Sequence, residues 1–370
     1  MKVVIAIDSF KGSISSLEAG EAAAVGVKRA CPGAECVVRP LADGGEGTVD
    51  ALVAGMDGTL CEIAVTGPMG EPASAKYGML PGGVAVMEMA QASGITLVPR
   101  DRRDPRVATT RGVGEMILDA ASRGATRFII GIGGSATNDG GAGMLQALGW
   151  RLLDDSGRDL PPGGAALSRL AQIVPPGAET LSGISLRIAC DVTNPLCGDN
   201  GASAVYGPQK GATPEIVREL DASLAHFASV AGGEPDFPGA GAAGGLGYAF
   251  KTFLGAELVP GVDLILGETR LEDAVRGADV VITGEGRLDG QTAMGKAPIG
   301  VARLAKRHGA KVVAFAGCLG DGVEALNGAG IDAYFPILRK VVTLDDALDR
   351  RIAAANLTAT AEQAVRLMLA

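Results

Sequence analysis

Residues 279–298 read DVVITGEGRLDGQTAMGKAP: an apolar, β-branched run comes first, and glycines and charged residues follow it. Comparable runs recur along the chain, each followed by a turn and a helical pattern. They are KVVIAID (2–8), ECVVRPL (35–41), RFIIGIGG (127–134), SLRIACDV (185–192), KVVAFAG (311–317) and DAYFPIL (332–338). Continuous apolar runs that alternate with helices are typical of parallel strands buried on both faces. The predicted fold class is α/β.

The pattern changes between Thr59 and Met89. TLCEIAVTG (59–67) and ASAKYGML (73–80) alternate in polarity around GPMGEP, which predicts a β-hairpin and the start of a second lobe. We therefore expect two α/β lobes with the active site in the cleft between them. Residues 1–61 and 280–370 would form a discontinuous Rossmann- or flavodoxin-like lobe with an open parallel sheet. Residues 62–279 would form an inserted α/β lobe with a mixed sheet.

Composition narrows the class of ligand. The chain has 370 residues, 56 of them glycine, and a net charge of −9 without a basic block, which disfavours nucleic acid and anionic membranes as partners. No stretch reaches the roughly 18 apolar residues of a membrane span, and the N-terminal apolar run is too short for a signal peptide. The six cysteines form no C-x-x-C pair, so we expect reduced thiols in the cytoplasm and a small-molecule ligand.

Gly290 to Lys296 spells the G-x-x-x-x-G-K of a phosphate-binding P-loop, but Ala297 stands where that loop needs serine or threonine. The preceding strand is predicted to end near Thr283, too early for a P-loop. Even so, the stretch carries the charges that phosphoryl transfer requires, carboxylates for Mg²⁺ and cations for phosphate oxygens. These residues are Glu285, Arg287, Asp289 and Lys296.

Two further strand ends carry charged residues, and ligands of open α/β sheets bind beyond such ends. In AIDSFKGS, Asp8 ends a strand, Ser9 and Lys11 follow, and a helical pattern opens at 12–13, so an anion site at a helix N-terminus is one interpretation and a simple helix cap the other. In LADGGEGT, Asp43 and Glu46 flank two glycines and could converge on Mg²⁺ or on a substrate hydroxyl.

The stretch GIGGSATNDGGAGM (131–144) is a glycine-rich loop that leads into a helix, and its backbone amides and hydroxyls favour an anion. It lacks the acidic ribose-binding residue of a dinucleotide site, which disfavours an oxidoreductase. We expect it to hold ATP phosphates through Gly133, Gly134, Ser135, Thr137 and Asn138, together with Lys296.

A third strand end, ACDVTNPL, places Asp191 after a strand that is predicted to be buried, where carboxylates usually pair, coordinate or transfer protons. Asn194 and Lys210 lie in the segment that follows. His226 and His308 both sit in helical patterns and look structural, so a catalytic base must be Asp, Glu or Lys. This favours phosphoryl transfer to a hydroxyl over Ser-His-Asp hydrolysis.

Six motifs, taken in order, resemble the bacterial type-1 glycerate kinase family over nearly the whole chain. They are DSFKGS, PLADGGEGT, GGSATNDGGAGM, NPLCGDNGASAVYGPQKGAT, GAAGGLG and ITGEGRLDGQTAMGKAP. The resemblance implies ATP- and Mg²⁺-dependent phosphorylation of D-glycerate, typically to 2-phosphoglycerate, in the breakdown of glyoxylate or sugar acids. It also implies two α/β lobes that are unrelated to the P-loop fold.

For that reaction we predict Asp191 as the base that accepts the glycerate proton, with Lys11 and Arg287 neutralising the substrate carboxylate and the transferring phosphoryl group. Asp43, Glu46, Glu285 and Asp289 are the Mg²⁺ candidates, and Asp8, Ser9, Asn194 and Lys210 are the substrate-binding candidates. A kinase for another small hydroxy acid, and a non-catalytic sensor of a phosphorylated metabolite, remain alternatives. A homodimer is one expectation for the oligomeric state, which the residues do not define.

Overall fold

The computed structural model describes residues 1–177 and 183–370. The chain forms two compact units. The first comprises Met1–Asp43, Asp50–Asp57 and Val262–Ala370, and the second comprises Gly44–Val49 and Gly58–Gly261. No helix in the described part of the chain is long and apolar enough to cross a membrane.

The strands and helices alternate along most of the chain. The strands are β1 (Lys2–Ile7), β2 (Glu35–Val38), β3 (Thr59–Thr66), β4 (Pro72–Leu80), β5 (Val84–Glu88), β6 (Arg127–Gly131), β7 (Arg151–Leu153), β8 (Gln172–Val174), β9 (Ser185–Ala189), β10 (Glu257–Val259), β11 (Val280–Leu288), β12 (Lys311–Leu319) and β13 (Ala333–Pro336). The helices are α1 (Ser16–Ala30), α2 (Thr48–Gly55), α3 (Ala90–Ser93), α4 (Arg111–Ser122), α5 (Ala142–Ala147), α6 (Ala202–Tyr206), α7 (Pro214–Ala231), α8 (Leu246–Leu254), α9 (Gly261–Glu268), α10 (Leu271–Val275), α11 (Ala297–Arg307), α12 (Ala325–Gly328), α13 (Leu344–Leu348) and α14 (Arg350–Leu369).

The first unit is built on a five-stranded sheet in the order β13-β12-β11-β1-β2, and every neighbouring pair is parallel. Numbered within the sheet, this is the flavodoxin-like order 2-1-3-4-5, whose direction of winding reverses between β1 and β11. Separate apolar clusters cover the two faces, one including α11 and the other including α1 and α14. The predicted open parallel sheet of the first two and last three strands is confirmed.

The second unit contains a six-stranded mixed sheet in the order β10-β9-β6-β5-β4-β3. β3, β4 and β5 pair antiparallel, whereas β5, β6, β9 and β10 pair parallel. The hairpin predicted around residues 67–72 is therefore present, with Thr66 opposite Pro72. The α/β class with one parallel and one mixed sheet is confirmed.

The units divide at positions other than the predicted boundaries at 61/62 and 279/280. α10 and most of α9 belong to the first unit, because Val262, Leu271 and Val275 pack in the same apolar cluster as α11. Residues 44–49 belong to the second unit. The chain turns there at Gly44, whose φ is +85° and which lies against Gly261, so that a Cβ at this position would come within 3.0 Å of the Gly261 Cα.

Two predicted element ends are wrong. β11 does not stop near Thr283 but runs to Leu288, because β12 continues beside it and pairs Arg287 with Cys318. The helix after β1 does not open at 12–13 but begins at Ser16, where Ser15 and Glu18 form a capping box. Both shifts change which backbone atoms a ligand can reach.

Candidate active site

The first unit contains a cavity of about 530 Å³ at the carboxyl ends of its strands. Residues that follow β1, residues from the second half of β11 and residues at the ends of β12 and β13 all line it. This is the edge of the sheet where the winding direction reverses, the usual ligand position in a flavodoxin-like fold. The lining includes eight predicted site residues: Asp8, Ser9, Lys11, Asp43, Glu285, Arg287, Asp289 and Lys296.

Asp8 is the most perturbed of these groups. It directly follows β1, only 6% of its surface is exposed, and its Oδ1 accepts a hydrogen bond of 2.6 Å from the Ser9 amide. Burial, followed by repulsion from Asp43, raises the pKa of Asp8 to about 7. A carboxyl group that gains and loses a proton near neutral pH is well suited to proton transfer.

The second half of β11 and the turn after it supply the other charges. Glu285 is half-buried and accepts a 2.7 Å hydrogen bond from Thr292, and burial raises its pKa. Arg287 is exposed and pairs with Asp289 at 3.1 Å. Alternation along the extended strand places Glu285 and Arg287 on the same side of the sheet, which is the arrangement that the late end of β11 makes possible.

Aliphatic side chains from the segment after β13 also line the cavity. Ile337 and Leu338 follow β13, and Leu344 and Leu348 belong to α13. We call these four residues the apolar wall. Leu344 is 72% exposed and Leu338 and Leu348 are each 36% exposed, although all three border a concave site. Sequence reasoning missed the wall, whose only signal was apolar residues recurring through residues 337–348.

In the second unit, the glycine-rich loop after β6 is largely internal. Thr137, Asn138 and Asp139 have no exposed surface, and Lys210 is only 2% exposed. The Lys210 ammonium donates to Ser135 Oγ at 2.7 Å and to the Thr137 carbonyl at 2.6 Å. Of the residues predicted to hold ATP phosphates on this loop, only Gly133 and Gly134 are exposed.

The N-terminus of α5, which the loop leads into, is already capped by the carboxyl group of Asp139, whose pKa is raised by burial. The Asp139 carboxylate accepts hydrogen bonds from the amides of Thr110, Gly141 and Gly143 at 2.8, 3.1 and 3.2 Å. A buried carboxylate at a helix N-terminus satisfies the same amides that a phosphate would use. In this arrangement the amides of Gly141 and Gly143 already have a hydrogen-bond acceptor.

The sequence as a whole matches known proteins. The model of the Glycerate kinase family matches residues 3–369. The chain belongs to the glycerate kinase family. A glycerate kinase from Bacillus subtilis (strain 168) is 52% identical over 356 residues, covering 94% of this chain and 93% of that protein. A glycerate 2-kinase from Escherichia coli (strain K12) is 49% identical over 354 residues, with the same shares covered.

A solved structure agrees with the fold. The crystal structure of a protein assigned as glycerate kinase 2 from Salmonella typhimurium LT2 superposes with a TM-score of 0.92 at 45% identity, covering 100% of this chain and 98% of that one. Both α/β units are therefore features that this glycerate kinase family member shares with a crystallographically determined relative. The resemblance expected from the six motifs is confirmed.

The remaining predicted residues lie outside the first-unit cavity. Asp191 lies beyond the end of β9 and is itself exposed, although Leu186, Ile188 and Ala189 of the strand are buried; its Oδ1 accepts from the Gly261 amide at 2.9 Å. Asn194 donates to the Asn200 carbonyl and accepts from the Tyr206 hydroxyl. Glu46 is exposed on the 44–49 segment, which belongs to the second unit.

Proposed function

We propose that this glycerate kinase family member transfers the γ-phosphoryl group of ATP to D-glycerate in an Mg²⁺-dependent reaction that yields 2-phosphoglycerate, in the breakdown of glyoxylate or sugar acids. Family membership supports glycerate as the substrate. The observation that carries the proposal is the first-unit cavity, where carboxylates and cations converge at the carboxyl ends of β1 and β11. Phosphoryl transfer depends on this combination of groups.

Each charged residue at the polar end of the cavity has one role in this reaction. The buried Asp8 carboxylate accepts the proton as the glycerate hydroxyl oxygen attacks the γ-phosphorus and the bond to the ADP oxygen breaks. Lys11 and Arg287 neutralise charge on the substrate carboxylate and on the phosphoryl oxygens. This assignment places the base at Asp8, whereas sequence reasoning favoured Asp191, because Asp8 lines the cavity and its pKa is raised to about 7.

The residues present fit a magnesium ion. Asp43 and Glu285 supply the hard oxygen ligands that Mg²⁺ prefers. Within residues 1–177 and 183–370, no group of three metal-ligating side chains could hold an ion by itself. This suits Mg²⁺, which is usually held by one or two carboxylates together with substrate phosphates and water. When bound, the ion neutralises charge on the β- and γ-phosphate oxygens.

The predicted cation role is tested by replacing Lys11 with alanine. We expect kcat/KM for glycerate phosphorylation to fall by well over tenfold, because an ammonium group that contacts the transferring phosphoryl group is lost. Lys340→Ala is the matched control, since Lys340 is exposed in the same unit and does not line the cavity. Equal rates for the two variants would remove Lys11 from the site.

The overall reaction is tested by incubating the purified protein with Mg-ATP and D-glycerate, following ADP release and identifying the phosphoglycerate isomer by NMR. ADP release with formation of 2-phosphoglycerate is the expected result. Formation of 3-phosphoglycerate would correct the position of transfer. Turnover with other hydroxy acids alone would change the substrate, and equilibrium binding of phosphorylated metabolites without any turnover would favour a sensor.

A further inference from the structure

The first-unit cavity has the size, the lining and the unpartnered polar groups of a nucleotide site. Resting on the proposed kinase function, we propose that ATP binds entirely within this cavity, with its adenine against the apolar wall and its phosphates beside Lys11, Arg287 and Lys296. The glycine-rich loop of the second unit, where sequence reasoning placed ATP, would then not be the nucleotide site.

The size of the cavity is the first argument. Its volume of about 530 Å³ lies within the roughly 300–1,000 Å³ of sites for drug-sized ligands. A three-carbon acid such as glycerate would fill only a small part of this space. A nucleotide triphosphate, with a flat ring at one end and charged groups at the other, needs a site of this size.

The division of the lining into two chemical halves is the second argument. Carboxylates and cations lie where β1 and β11 end, and the apolar wall lies beyond β13. Leu344 is 72% exposed although it borders a concavity. Exposed apolar surface at a concave site commonly marks a ligand-binding position, and a purine ring would remove this surface from water. Glycerate has no comparable apolar surface.

The third argument is that two polar side chains in the cavity lining have no hydrogen-bond partner among the described residues. Asn356, on α14, lines the cavity, and its side-chain amide makes no hydrogen bond to any described residue. An amide offers one donor and one acceptor edge, which is the pattern that pairs with the N6 and N7 positions of adenine. Ser13 also lines the cavity, and its hydroxyl is buried without a hydrogen-bond partner among the described residues.

The end of the cavity that would hold the phosphates differs from the second-unit loop in which hydrogen-bond donors already have an acceptor. There, Asp139 accepts hydrogen bonds from the Gly141 and Gly143 amides at the start of α5 and from the Thr110 amide at the start of α4. In the first unit, α11 begins after Lys296 without a side-chain cap. Lys11 lies on the same lining, as does Arg287, which pairs there with Asp289, so the cavity offers cationic groups to an anionic ligand.

Cys318 provides a readout that does not depend on catalysis. It is exposed and lines the cavity, whereas the other five thiols are buried or half-buried. The native protein is treated with iodoacetamide, and alkylation of each cysteine is followed by peptide mass spectrometry. With ADP at about ten times its Kd, we expect the alkylation rate of Cys318 to fall about tenfold, because only the ligand-free protein reacts. The other thiols are the internal control.

Two substitutions in one segment test the apolar wall. Leu344→Asn is expected to weaken ADP binding by about tenfold, measured by calorimetry, because the ring would lose aliphatic contact area. Val341→Asn is the matched control, since Val341 is 101% exposed and does not line the cavity. A third substitution, on α14, tests recognition of the base: Asn356→Leu is expected to reduce the preference for ADP over GDP by about tenfold. Leu344 is largely exposed and Asn356 is half-buried, so both variants should fold.

The outcomes separate this proposal from the proposed function. ADP that binds by calorimetry while Cys318 reacts at its original rate, with Leu344→Asn equal to Val341→Asn, would place the nucleotide elsewhere and leave the kinase intact. Protection of Cys318 by D-glycerate but not by ADP would assign the cavity to glycerate and overturn the proposal. A folded protein that binds no ADP would overturn the ATP-dependent function and this inference together.

Discussion

Asp8→Asn is expected to lower kcat for glycerate phosphorylation by about 10²–10⁴-fold, because loss of a general base typically costs that much. Asparagine has nearly the shape of aspartate and can still accept the Ser9 amide hydrogen bond, so the loop after β1 should keep its conformation. Only the ability to take up a proton is removed. Steady-state kinetics with Mg-ATP and D-glycerate, supported by circular dichroism of the variant, provides the measurement.

Two comparisons fix the interpretation of that loss. Asp191→Asn is the matched variant, since sequence reasoning assigned the base there; a large loss in Asp191→Asn with near-normal Asp8→Asn would restore that assignment. The dependence of the rate on Mg²⁺ concentration separates proton transfer from metal binding. If Asp8→Asn raises the Mg²⁺ requirement and excess Mg²⁺ restores the rate, Asp8 is a metal ligand.

Much of the fold was predictable because strand burial leaves a clear pattern. β1 and β12 are apolar along almost their whole buried length, so the runs KVVIAI and KVVAFA indicate central parallel strands. The hairpin of β3 and β4 was visible because only one face of these strands is buried. β5 was missed: its VAVME run is short, and all five of its residues are buried, so no alternation distinguishes it from a helix segment.

The lining of the first-unit cavity was predictable where charge follows a strand, as with Asp8 after β1 and Glu285 on β11. It was not predictable where a side chain's partner lies far along the chain. Lys210 looked available for substrate, but it bonds to Ser135, 75 positions away. The apolar wall was also missed, because apolar residues in a charged segment do not show by themselves that they border a cavity. Both features depend on tertiary contacts.

Lys210→Met is expected to lower the free energy of unfolding by about 1–3 kcal/mol for each buried acceptor that it leaves without a donor. Lys210 and Asp139 are both buried, and the ammonium is the donor to Ser135 Oγ and to the Thr137 carbonyl. Methionine fills the space but donates no hydrogen bond, so both acceptors lose a partner away from water. Urea denaturation followed by circular dichroism measures the loss.

Lys76→Met is the control for this prediction, because the Lys76 side chain is 50% exposed and 3.9 Å from Glu62, a surface pair of little expected worth. Burial lowers the pKa of Lys210 from 10.5 to about 7 in the folded protein. Between these values the unfolded chain binds more protons, so wild-type stability gains from rising pH through this lysine, and Lys210→Met lacks that gain. The stability difference between the two should therefore widen from about pH 7 to pH 10. A small, pH-independent difference together with a raised KM for glycerate would instead place Lys210 at the substrate, as its position in the sequence first indicated.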